Sequence, residues 1–152
     1  MSASLQFRYI FVFCYLFTIT SKHIMQELSF STELHTTFLE AIDDVIFALW
    51  KEWFWVMTRI DFKEKMKEKL WVEVWEYMVL WACKPEIAYS AFSQDSAIWL
   101  FLPCNVIVYE KQGKVMVESV RPTMLLASLS NQEVKKIALE AEESLRRVIE
   151  SL

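Results

Sequence analysis

Glycine is nearly absent from this chain: Gly113 stands alone in 152 residues, where a typical domain at roughly 7% glycine would carry about ten. There is consequently no glycine-rich phosphate loop, and nothing marks a nucleotide-binding fold built on one. An excess of positive charge is missing as well. The 16 Lys and Arg are outnumbered by 20 Asp and Glu, a formal charge of -4, which argues against nucleic acid as a partner because phosphate backbones require a basic face. The one basic cluster, Lys63, Lys65, Lys67 and Lys69, is interrupted by Glu64 and Glu68 and fits a solvated helix face. Cysteine is sparse: Cys14, Cys83 and Cys104 are an odd number without the spacing of a secreted disulfide scaffold, which favours a reducing cytoplasm. Neither C-x-x-C nor H-E-x-x-H occurs, and the only histidines are His23 and His35. A metal site needs about three or four ligands, so no metal and no cofactor is expected.

Long hydrophobic runs are lacking too. Residues 9–20 are almost wholly apolar or aromatic, but a membrane span needs about twenty such residues. Arg8 precedes this run as in a signal peptide, yet no small-residue cleavage site follows. An ordinary strand pattern starts at Met25, so the favoured expectation is that translation begins there and that residues 1–24 are upstream sequence. The alternatives are a signal or anchor, which would place the protein in the envelope or outside the cell, and an extra strand or helix. Residues 25–152 are long enough for a single domain with its own core.

Within that domain, strand and helix periods alternate. Leu28 and Phe30 alternate with polar residues. Phe38, Leu39, Ile42, Val45, Ile46 and Leu49 then recur at helical spacing after hydroxyls at Ser31, Thr32 and Thr36 that can cap. Phe54, Val56, Thr58 and Ile60 restore period two, and Asp61 can cap a short charged helix over 62–70. An apolar strand over 77–83 precedes Pro85, which suits the first turn of a helix over 86–92. Val106 and Val108, the Gln112-Gly113 turn, then Val115 and Val117 form the clearest hairpin. Pro122 opens a helical turn through 129. Asn131 caps a last helix with Val134, Ile137, Ala138, Ala141, Leu145, Val148 and Ile149 on one stripe. With the best-defined strand pair a hairpin, the expected fold is a two-layer α/β sandwich: a mainly antiparallel sheet, helices on one face, and the other face solvated or in dimer contact.

What the chain has in excess is tryptophan, seven of them. Trp53 and Trp71 each follow the last turn of an expected helix, where a left-handed residue is commonly glycine. A side chain there costs about 1 kcal/mol, and overpacking by a bulky ring adds about 1 to 3 kcal/mol per crowded site.

The segments EWFWVMTRIDFKEKMKEKLWVEVWEYMVLWACKPEIAYSAF and IWLFLPCNVIVYE resemble the domain-of-unknown-function family number 302, and the similarity covers about residues 25–152. The family pattern has glycine at the positions of Trp53, Trp55, Trp71, Trp81 and Trp99; Trp50 and Trp75 fall on variable ones. The Leu102-Pro103-Cys104-Asn105-Val106 motif and the following Val108-Tyr109-Glu110 match without departure. Divergence would scatter many residue types over such sites. Repeated replacement by one chemically unrelated residue fits a gene in which UGA encodes glycine and has been read as tryptophan. The resemblance implies a small bacterial or archaeal α/β domain, a homodimer, with no established activity to carry over to named residues.

Cys83 and Cys104 lie in the two most diagnostic motifs and are candidates for a thiol site, although free cysteines are usually small buried hydrophobes. Tyr77, Tyr89 and Tyr109 are candidates to line a pocket, against ordinary sheet-face packing. Cys104 with His35 is a conceivable nucleophile pair, but a histidine near a helix start is more often solvated. Asp43-Asp44 and Glu142-Glu143 are sequence neighbours that diverge around a helix and are expected to be solvated. No residue is marked as catalytic. The expected function is a non-catalytic module binding a small ligand or a protein, with a thiol-dependent redox protein using Cys83 and Cys104 as the alternative. Membrane contact is expected only if residues 1–24 are a leader.

Overall fold

Period-two and helical stripes become β1 (Ser29–Leu34), α1 (Phe38–Lys51), β2 (Trp55–Asp61), α2 (Phe62–Leu70), β3 (Tyr77–Cys83), α3 (Pro85–Gln94), a 3-10 turn (Ser96–Leu100), β4 (Cys104–Lys111), β5 (Lys114–Val120), α4 (Pro122–Leu125) and α5 (Gln132–Glu150). The computed structural model describes residues 27–152; the leader expected over 1–24 and the start at Met25 lie outside them. The strands form one five-stranded sheet in the order β1-β5-β4-β3-β2, with every neighbouring pair antiparallel. Leu80 and Ala82, Cys104, Val106 and Val108, and Val115 and Val117 alternate onto one face. There they meet Ala41, Ile42, Val45, Ala48 and Leu49 of α1 and Leu145, Val148 and Ile149 of α5. This is the expected two-layer α/β arrangement.

Local chemistry sets most boundaries. Asp61 accepts from the Glu64 amide at 2.8 Å to start α2, and Asn131 accepts from the Glu133 and Val134 amides to start α5. The β4–β5 hairpin closes on Gln112 and Gly113 with φ of 57° and 75°, the positive values that a two-residue turn of matching twist requires. Two boundaries differ from the sequence pattern. Residues 31–34 remain in β1, held by pairing from Ser29↔Val120 to Leu34↔Val115. The cap of α1 is therefore Thr37, reciprocated by Glu40 in a capping box, rather than Ser31, Thr32 or Thr36. The Thr36 hydroxyl instead donates to Glu40 at 2.7 Å. The turn opened by Pro122 is α-helical only to Leu125, after which Ala127 and Leu129 bond three residues back.

The two helix ends that the sequence assigns to glycine-like positions are left-handed. At the end of α1 the Phe54 amide donates to Leu49 and the Trp53 amide to Trp50, both at 2.9 Å, with Trp53 at φ 64°. This is the paired bonding of a Schellman motif, and it brings Phe54 back against Leu49 in the core. At the end of α2 the Trp71 amide donates to Lys67 at 3.1 Å with φ 57°, the single-bond left-handed cap.

One charged residue departs from the solvated state expected of it. Glu143 is solvated as expected, but Glu142 is buried. It sits on the apolar stripe of α5, between Ala138 and Leu145. Its carboxylate accepts from Arg121 Nε at 3.1 Å and Nη2 at 3.0 Å, from the Thr123 amide at 3.0 Å and from the Thr123 hydroxyl. The Arg121 and Arg146 guanidiniums both lie over the Phe30 ring, at 5.2 and 4.9 Å. The cluster thus ties α5 to the end of β5, to α4 and to edge strand β1. A second, smaller apolar cluster continues the helical layer with Ala91, Ile98, Leu126, Val134 and Ala138.

Burial alone would raise the Glu142 pKa; the Thr123 and Arg121 hydrogen bonds outweigh it and hold the carboxyl below its ordinary value. A depressed folded-state pKa contributes stability that is complete above the unfolded value of about 4.3 and is lost as pH falls through the folded one. Glu142→Gln should cost about 2 to 3 kcal/mol at neutral pH, measured by urea unfolding, with the difference from the parent shrinking in acid. A difference below about 0.5 kcal/mol, or one that grows as pH falls, contradicts this role.

Candidate functional site

The residues that end β3 and open α3 also build an apolar concavity. Cys83 closes β3 opposite Trp55 of β2. Alternation from Ala82, which faces the core, puts this pair on the other side of the sheet. A bulge between Val56 and Thr58 takes Met57 out of register. After Lys84, Pro85 starts α3, whose helical spacing divides it into two faces. Ala91 packs into the second core cluster, while Pro85, Ala88, Tyr89 and Phe92 turn to the groove. With Trp55, Met57, Cys83 and Trp99 they enclose about 460 Å³, within the range of roughly 300 to 1,000 Å³ usual for ligand pockets. Little of its lining is polar.

Two other concavities carry charged side chains. One of about 320 Å³ adjoins the groove and is lined by Trp53, Trp55, Lys84, Pro85, Glu86 and Glu140. The other, about 540 Å³, lies at the far end of β3. There Lys63 is paired with Glu76 and Lys111 lies 5.5 Å from the centre of the Trp75 ring.

Cys83 and Cys104 stand on neighbouring strands one register position apart, since Cys104 pairs with Ala82. Both are free and buried. Cys104 joins the main core, whereas Cys83 lines the groove. Burial pushes the Cys83 thiol up. Burial, and secondarily the adjacent Cys83, push Cys104 up to about 12. Burial thus disfavours the thiolate at both sulfurs.

The three candidate tyrosines separate. Tyr77 and Tyr109 are cross-strand partners with rings stacked at 5.6 Å, on the sheet face away from α1 and α5. Phe62 tilts against Tyr77. The Tyr109 hydroxyl donates to Glu118 at 2.6 Å, and Ser29 donates to the same carboxylate at 3.2 Å. Burial, followed by that carboxylate, raises the Tyr109 pKa. Tyr89 instead lines the groove, at the opposite end of β3, roughly 20 Å away at the rise of an extended strand.

His35 is exposed in the turn after β1. Leu34 aligns through Val115 with Glu110, so His35 lies at the far end of β4 from Cys104 and the two make no nucleophile pair. Among the described residues no three His, Cys, Asp or Glu side chains converge as a metal site would require, and no helix is long and apolar enough to cross a membrane. The groove residues missed from sequence are Met57, Ala88 and Phe92. The last two were legible as a second stripe on α3 with Pro85; Met57 was not, because only the bulge brings it there.

The sequence profile of Domain of unknown function DUF302 matches residues 30–152. A crystal structure of an uncharacterized conserved protein DUF302 from Bacillus stearothermophilus superposes with a TM-score of 0.76 at 25% identity, covering 81% of this chain and 96% of that one. No curated protein matches the chain. The family match spans both groove-forming segments and the hairpin, and the shared fold agrees with it: the chain belongs to the DUF302 domain family.

Proposed function

We propose that the protein is a non-catalytic module that binds a small, uncharged, largely apolar ligand in the groove between α3 and the β2–β3 edge. The observation that carries this is the groove itself, a volume of about 460 Å³ walled by apolar side chains beside a sheet edge. A polar or charged ligand would lose its water there and gain few hydrogen bonds in return. Catalysis finds little support in the same residues, since the groove holds no acid–base pair and its thiol is pushed toward the protonated form.

An environment-sensitive apolar dye should bind the folded protein with increased emission. Tyr89→Asp, on a side chain 74% exposed, places a charge at the rim without touching the core, and should weaken binding about tenfold or more, equivalent to about 1.4 kcal/mol. Leu100→Asp, on a more exposed side chain outside the groove, should leave it unchanged. Equal binding by both variants would remove the groove from the account.

The second proposal, a reversible thiol pair, rests on Cys83 and Cys104 lying on adjacent strands. It requires a reactive thiolate, and at a pKa of about 12 instead of 9.0 Cys104 holds about a thousandfold less thiolate at neutral pH than an unperturbed cysteine. Iodoacetamide should therefore label Cys104 at neutral pH only at the rate of unfolding, and Cys83 more slowly than a free cysteine. Rapid labelling of either thiol in the folded protein would instead favour the redox function.

A further inference from the structure

Trp53 and Trp71 occupy the two helix-terminal positions at which backbone geometry selects most strongly against a side chain. Each is the left-handed residue of a defined C-terminal motif, at φ 64° and 57°, closed by the amide bonds to Leu49, Trp50 and Lys67 already described. Glycine is the usual occupant of both motifs, with asparagine the common second. Tryptophan has neither the missing Cβ of the one nor the short polar group of the other. Its only available compensation would be burial, and the two side chains are 73% and 88% exposed. The other five tryptophans are exposed as well, although tryptophan is on average a highly buried residue. Phe54, one residue from two of them, is fully in the core.

A chain with seven exposed tryptophans and a single glycine, two of those tryptophans in glycine geometry, has one economical explanation. We infer that the polypeptide made from this gene carries glycine at positions 53 and 71, encoded by UGA. The exposed indoles at these two positions are then not a docking face.

The inference does not depend on what the groove binds, and it is tested on protein purified from the source organism. Trypsin cutting after Lys51, Arg59, Lys69 and Lys111 gives peptides 52–59 and 70–111, the Lys84-Pro85 bond being resistant, and together they contain both positions. Mass spectrometry with fragmentation should place glycine at 53 and 71, and the gene should carry UGA at each. Tryptophan at 53 or 71, or UGG codons there, overturns the inference. Expression of the unaltered gene in a host that reads UGA as stop should yield only truncated product, and full-length protein from such a host overturns it independently.

Discussion

The chain reversal at position 53 is the constraint on which the edge of this fold depends. A helix that has buried Ala41, Val45, Ala48 and Leu49 against the sheet must stop and turn within two residues for Phe54 to re-enter the core and β2 to begin at Trp55. Only a left-handed residue accomplishes that turn while satisfying the carbonyls of Leu49 and Trp50. The outermost strand is placed by this turn, and so are the Trp55–Cys83 pairing and the open side of the apolar groove. A right-handed residue at position 53 would carry the helix onward and leave Phe54 without its place beside Leu49.

A second anchor works at the other edge. Glu142 gathers Arg121 and Thr123, and the two guanidiniums over Phe30 extend the cluster to β1. Both sheet edges are thus fastened to the helical layer, one by backbone geometry and one by a buried charge. Between them the core is almost wholly aliphatic, and its small residues Ala41, Ala48 and Ala82 let α1 approach the sheet closely. The groove forms outside this region. α3 spends one face on the helical layer, and its other face has only the edge of the sheet to meet.

Features governed by local chemistry were legible in the sequence. The period of residues 77–83, the Asp61 cap and Trp71 stop of α2, and the Gln112-Gly113 turn each require only near neighbours, and the structure places them where the pattern does. Features governed by distant partners were not. The pairing of β1 with β5 decided how far the first strand runs, overriding the hydroxyls of Ser31 and Thr32. The bulge that delivers Met57 to the groove exists only in the β2–β3 ladder. Glu142 lay between both cases: its spacing from Ala138 and Leu145 put it on the buried stripe, but charge alone suggested solvent until Arg121 and Thr123 were brought to it. The candidate thiols were found beside one another, while the candidate tyrosines were divided between two ends of one strand, which their sequence positions did not reveal.

The central claim is that the left-handed backbone at position 53 favours glycine, and the stability of two substitutions tests it most directly. Both remove the same exposed indole; they differ only in whether the left-handed conformation is relieved. In urea unfolding of the chain, Trp53→Gly should be more stable than Trp53→Ala by about 1 kcal/mol, reversing the order found in a helix interior, where alanine is favoured by a similar amount. Equal stability of the two variants, or alanine the more stable, would contradict the account.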